Sequence, residues 1–67
     1  MGYKIKELRE KMSMTQEELA KKSGISRVTI SLLENNATKE VMISTLKALA
    51  HALDTTVADL FFEDGGK

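Results

Sequence analysis

None of the 67 residues is cysteine, so neither a disulfide nor a thiolate metal site adds to the stability of the chain. That absence matters, because a chain of this size buries only about 60% of the surface that its unfolded form exposes. Proline is missing too, and the four glycines stand at Gly2, Gly24, Gly65 and Gly66. Only Gly24 interrupts the body of the chain, which favours helices over a strand-and-turn fold. Long hydrophobic runs are also missing. The longest extends over a few residues, far short of the ~20 needed to cross a bilayer. No basic-then-apolar leader opens the sequence, so the expectation is a cytoplasmic protein without a membrane partner.

An excess of one charge sign is the next thing absent. Ten basic and ten acidic residues give a formal net charge of zero. The pI of about 6.6 lies well below the values above ~9 that mark strongly basic nucleic-acid binders. The halves differ slightly: residues 1–34 hold seven Lys/Arg against five Asp/Glu, and residues 35–67 hold three against five. That asymmetry suits one face turned toward phosphate, and it suits an ordinary solvated surface equally. Groups for catalysis are scarce. His51 is the single histidine, and no glycine-rich loop is present to cradle a phosphate. A chain this short also has little room for a substrate pocket of several hundred Å³ (about the usual size) beside a core. An enzyme is not expected, nor a metal or cofactor.

What is present has a helical period. Ile5, Leu8 and Met12 fall within about 60° of one another on an ideal helix over residues 4–12. Thr15 stands three residues before Glu18, the spacing of a capping box. The helix it opens carries Leu19 and Ala20 toward a core and ends at Gly24, where a residue without a side chain can turn left-handed. Only Ile25 separates that glycine from Ser26, the natural N-cap of the next helix. That third helix runs to about Asn35, with Asn35 and Asn36 suited to a stop. Residues 35–42 read as a loop. Ile43, Leu46, Leu49, Ala50 and Leu53 form the apolar stripe of a fourth helix. Thr56 with Asp59 marks a second capping box opening a short fifth helix that holds Val57, Leu60 and Phe61. The tail, residues 63–67, is polar, contains two glycines and is expected to fray. The expectation is an all-α protein: a compact five-helix bundle forming one domain over residues 1–67.

Two helices joined by a very short glycine-containing turn, here residues 15–36, make a helix-turn-helix, the unit that places its second helix in the DNA major groove. Ala20 is small where two helices must cross closely, Ile25 plugs the corner, and Ile30 and Leu33 anchor the third helix from behind. With Arg27 set at zero, Ser31, Val28 and Leu32 fall at about 40°, 100° and 140° on the opposite, outward face.

The segment TQEELAKKSGISRVTISLLEN, residues 15–35, resembles the phage repressor and Cro family of helix-turn-helix domains. The resemblance extends through Ile5, Leu8 and Arg9 upstream and through TLKALAHAL, residues 45–53, covering residues 3–62. It implies a five-helix domain of the lambda repressor-like type, a transcription regulator such as a prophage repressor, and homodimers on two-fold symmetric double-stranded operators. Carried over by position, Ser26, Arg27, Val28 and Leu32 match the base-facing residues, and Ser31 shares their face. Thr15 and Gln16, at the start of the second helix, match positions that meet a backbone phosphate, and Gln16 also braces the third helix. Asn35 and Lys39 match phosphate-contacting positions beyond that helix. Arg9 and Glu34 match an ion pair tying the first helix to the third, and Arg9 is a phosphate-contact candidate as well. Val28 and Leu32 depart from the family in being apolar, Met42 replaces a Ser or Thr cap, and Asp54 stands where a glycine often closes the fourth helix.

Two function classes stay open at this point. One is sequence-specific DNA binding by a transcription regulator. The other is an antitoxin-like or adaptor protein on the same fold, with Val28 and Leu32 buried against a protein partner. His51 falls beside Lys47, away from the apolar stripe, and reads as a solvated residue. The four methionines read as core fillers and loop residues. Phe61 and Phe62 divide between finishing the core and a dimer contact.

Overall fold

The computed structural model describes residues 3–35, 37 and 41–61. It contains four α-helices, α1 (Ile5–Lys11), α2 (Gln16–Ser23), α3 (Arg27–Glu34) and α4 (Ile43–Ala52), followed by a 3-10 helix over Ala58–Leu60. Among the described residues there is no strand, only an isolated antiparallel bridge between Tyr3 and Phe61. The expectation of five helices is therefore corrected to four α-helices and one 3-10 turn. Asn36, Lys39, Phe62 and the tail at 63–67, each singled out above, lie outside the described residues.

Local chemistry accounts for most of the boundaries. At the start of α2 the Glu18 backbone N–H donates to Thr15 Oγ1 at 3.0 Å and the Thr15 N–H donates to Glu18 Oε1 at 2.8 Å, a complete capping box. Gly24 closes α2 with φ 77°, its N–H bonded to the Ala20 carbonyl. Ser26 Oγ then accepts the Thr29 N–H at 3.2 Å and opens α3. Two other helix ends use a left-handed residue that is not glycine. Ser13 after α1 has φ 55° and Asp54 after α4 has φ 57°. In both, the next residue donates back five positions, Met14 to the Arg9 carbonyl and Thr55 to the Ala50 carbonyl, which satisfies carbonyls the helix itself leaves unpaired.

The second capping box forms only in part. Thr56 Oγ1 accepts the Asp59 N–H at 3.2 Å. The Asp59 side chain is one methylene too short to return the bond to the backbone, and it accepts the hydroxyls of Thr56 and Thr55 at 2.9 Å each. Those hydroxyls hold its carboxyl below the ordinary aspartate range. The turn does not continue as an α-helix because Phe61 leaves it with an extended backbone. There Phe61 bridges to Tyr3, and the Lys4 N–H donates to the Leu60 carbonyl at 2.6 Å.

The core is formed by Ile5, Leu19, Ile30, Leu33, Leu46, Leu49, Ala50, Ala52, Leu53 and Leu60, all buried. Leu8, Met14, Ala20, Ile25, Val41, Val57 and Phe61 pack around it. Two residues of the anticipated stripes are not part of it. Met12 caps the end of α1 and is exposed, and Ile43 in the first turn of α4 is 58% exposed. In each case the apolar period runs one step past the segment that the neighbouring helices cover. Helix α2 packs on both α3 and α4, while α1 lies against α3. This arrangement pins the rear of α3 and leaves its front open.

Candidate nucleic-acid interface

Helix α3 has two unlike faces. Ile30 and Leu33 are fully buried, whereas Val28 is 69% and Leu32 42% exposed. Arg27, Val28, Ser31 and Leu32, together with Gln16 from α2, line one shallow open groove of about 400 Å³. A second depression beside it is lined by Arg9, Thr15, Gln16, Glu17 and Arg27. Gln16 and Arg27 belong to both, so the two depressions form one continuous surface. Candidate base-facing residues occupy one side of it and candidate phosphate-facing residues the other.

Beneath that surface lies a network centred on Glu34. Arg9 Nε donates to Glu34 Oε2 at 2.8 Å and Arg9 Nη2 donates to Glu34 Oε1 at 3.1 Å, a two-pronged pairing suited to a planar guanidinium. Gln16 Nε2 donates to the same Oε1 at 3.0 Å, and Arg9 Nη1 donates to the Met14 carbonyl at 2.7 Å. The Arg9 and Glu34 side chains are only 11% and 3% exposed. The hydrogen bonds that Arg9 donates to Glu34 raise the Arg9 pKa above its ordinary value, and burial opposes them less strongly. Three elements are joined in this way: α1 through Arg9, the start of α2 through Gln16, and the end of α3 through Glu34. The pairing of Arg9 with Glu34 is anticipated from the sequence. The resemblance implies that Gln16 braces the third helix without naming Glu34 as the partner, and the bond from Arg9 to Met14 is not anticipated at all, since a carbonyl leaves no mark in residue type.

The remaining candidates divide. The Ser26 hydroxyl is engaged at the helix start, donating to Thr29 Oγ1 at 3.0 Å while it accepts the Thr29 N–H. Thr15 is likewise occupied by its capping box, although its side of α2 lines the second depression. Asn35 Nδ2 approaches Ser31 Oγ at 3.4 Å and lies one turn beyond the base-facing residues. Lys39 is outside the described residues. No group of three His, Cys, Asp or Glu side chains placed to hold a metal occurs among the described residues. No helix there is long and apolar enough to cross a membrane.

Comparison with known proteins agrees with the resemblance read from residues 15–35. The model of the family described as helix-turn-helix matches residues 5–60. Two uncharacterized HTH-type transcriptional regulators of Archaeoglobus fulgidus are similar. One is 41% identical over 64 residues, covering 96% of this chain and 90% of the relative. The other is 39% identical over 64 residues, covering 96% and 89%. The uncharacterized HTH-type transcriptional regulator YozG of Bacillus subtilis is 38% identical over 50 residues, 75% of this chain and 57% of the relative. No solved structure matches the chain significantly.

Proposed function

The chain belongs to the helix-turn-helix family, and on that premise we propose that it is a transcription regulator that binds double-stranded DNA with α3 in the major groove. The observation that carries this reading is the two-faced α3. Its rear is anchored by Ile30 and Leu33, while Arg27, Val28, Ser31 and Leu32 face outward in one groove with Gln16. Ser26 and Arg27 stand at the N-terminal end of the helix, the end that reaches base edges in this docking geometry. Thr15, Gln16 and Arg9 lie on the adjoining surface, where side chains meet the phosphates flanking the groove. Gln16 gives one amide N–H to Glu34 and keeps a second for a phosphate oxygen. Asn35 and Lys39 extend the phosphate contacts past the end of α3.

In this reading residues 1–67 work as one DNA-binding domain, in the cytoplasm, as a homodimeric repressor on a two-fold symmetric operator. Half-sites about 34 Å apart, one turn of DNA, follow from such symmetry. Neutral overall charge gives little general attraction to DNA, so discrimination must come from α3 itself.

Selection of bound sequences from a random DNA pool tests the reading, and enrichment of an inverted repeat is the expected result. Arg27→Ala should then weaken binding at the enriched site by about 1–3 kcal/mol, because a guanidinium can bond guanine O6 and N7 together, and should change binding to random DNA much less. Equal losses on both would reduce Arg27 to a phosphate contact. No enrichment at all would overturn the proposal.

A further inference from the structure

Val28 and Leu32 are the part of α3 that hydrogen-bond readout leaves without a use. They are four residues apart, so their side chains are neighbours on the outward face. Both line the groove that Arg27 and Ser31 also line, and both are exposed. Apolar surface held in water contributes nothing until it is covered. The major groove offers one apolar feature, the C5-methyl group of thymine. A rise of about 1.5 Å per residue sets the two side chains about 6 Å apart along the axis, close to two base-pair steps of about 3.4 Å. Each can therefore cover a methyl group of its own, on bases within two steps of one another.

Their neighbours present hydrogen-bonding groups in the same direction. Arg27, exposed in the first turn beside Val28, carries the paired donors that match guanine. Ser31 Oγ accepts from Asn35 Nδ2, which leaves its O–H to donate to a base acceptor. We infer that the preferred half-site places a guanine next to one or two thymines, with Arg27 on the guanine and Val28 and Leu32 on the thymine methyl groups. This inference rests on the DNA-binding reading above and specifies what that surface reads.

The test uses the full chain and the sites enriched from a random pool. Each half-site thymine is replaced in turn by uracil, which removes only the methyl group. The wild-type protein should lose about fourfold in affinity for each methyl that it covers. Leu32→Ala should become indifferent to uracil at one thymine, and Val28→Ala at the other. Both residues are exposed, so the variants should keep the wild-type melting temperature. The wild-type measurement stands even if one of them does not. A site that is enriched but bound equally well with uracil would overturn the methyl contacts and leave DNA binding intact. No enriched site would overturn both. Self-association lost in Leu32→Ala, with the uracil response unchanged, would assign these side chains to a protein interface instead.

Discussion

Glu34 receives donors from two helices, and its removal touches all of them at once. Its side chain is almost fully buried and takes two bonds from Arg9 and one from Gln16. Without it, a largely buried guanidinium keeps only the Met14 carbonyl, and the Gln16 amide loses its partner. Breaking a fully buried pair costs about 3–5 kcal/mol. Here Arg9 retains some access to water, so Glu34→Ala should cost about 2–3 kcal/mol, or about 8–24 °C in melting temperature at this chain length. An unchanged melting curve would mean that the pair contributes nothing. The backbone makes a second residue-scale test. A Cβ on Gly24 would meet no atom within 4 Å, so Gly24→Ala should cost only the strain of its φ of 77°, about 1 kcal/mol. Asp54 already bears that strain at φ 57°. Asp54→Gly should therefore stabilise by about 0.5–1 kcal/mol, and opposite shifts in Tm for the two variants are the expected outcome.

At the scale of the elements, α4, like α1, starts without a side-chain cap. Met42 has the extended backbone of an N-cap, φ −74° and ψ 144°, but no side-chain bond to the helix. It is also exposed, so little packing is lost when it is replaced. Met42→Ser should add about 0.5–1 kcal/mol, read as a higher Tm or denaturation midpoint, and no gain would show that the first turn of α4 is satisfied in another way. Such caps are what made the fold legible from sequence. Thr15 with Glu18, Gly24, and Ser26 are each local signals, the first and last opening a helix and Gly24 closing one. The last turn was less legible because its end is decided at a distance. Phe61 leaves the turn on an extended path and bridges there to Tyr3, nearly sixty residues earlier. The same holds for Met12 and Ile43, whose spacing fits the apolar stripes but whose positions lie beyond the neighbouring helices. For the interface, the angular layout of α3 was readable from periodicity alone. That Gln16 braces α3 was implied by the resemblance, but its partner Glu34 was not, since that depends on how α2 and α3 cross.

For the molecule as a whole, the described ends of the chain are held together. Tyr3 and Phe61 form the isolated bridge, their ring centroids are 5.2 Å apart with planes tilted by 41°, and the Lys4 N–H is bonded to the Leu60 carbonyl. A tilted pair at this separation contributes about 0.5–1.5 kcal/mol beyond the area it buries. In a chain of 67 residues, where the margin of stability is thin, that is a substantial part of the total. The clasp also seats Ile5 and Leu60, both fully buried, on neighbouring parts of the core. Tyr3→Ala and Phe61→Ala should each destabilise by about 1–2 kcal/mol, since both rings are half-buried and lose packing as well as each other. Combined, they should fall short of additivity by about 0.5–1.5 kcal/mol, the coupling that a double-mutant cycle isolates. Strict additivity would mean that the rings are neighbours without a mutual interaction. Because neither residue lines the groove at Gln16, Arg27, Val28, Ser31 and Leu32, the folded fraction of each variant should keep the wild-type preference among DNA sequences. A changed preference would reveal that the clasp controls how α3 is presented, and would tie stability at the chain ends to recognition.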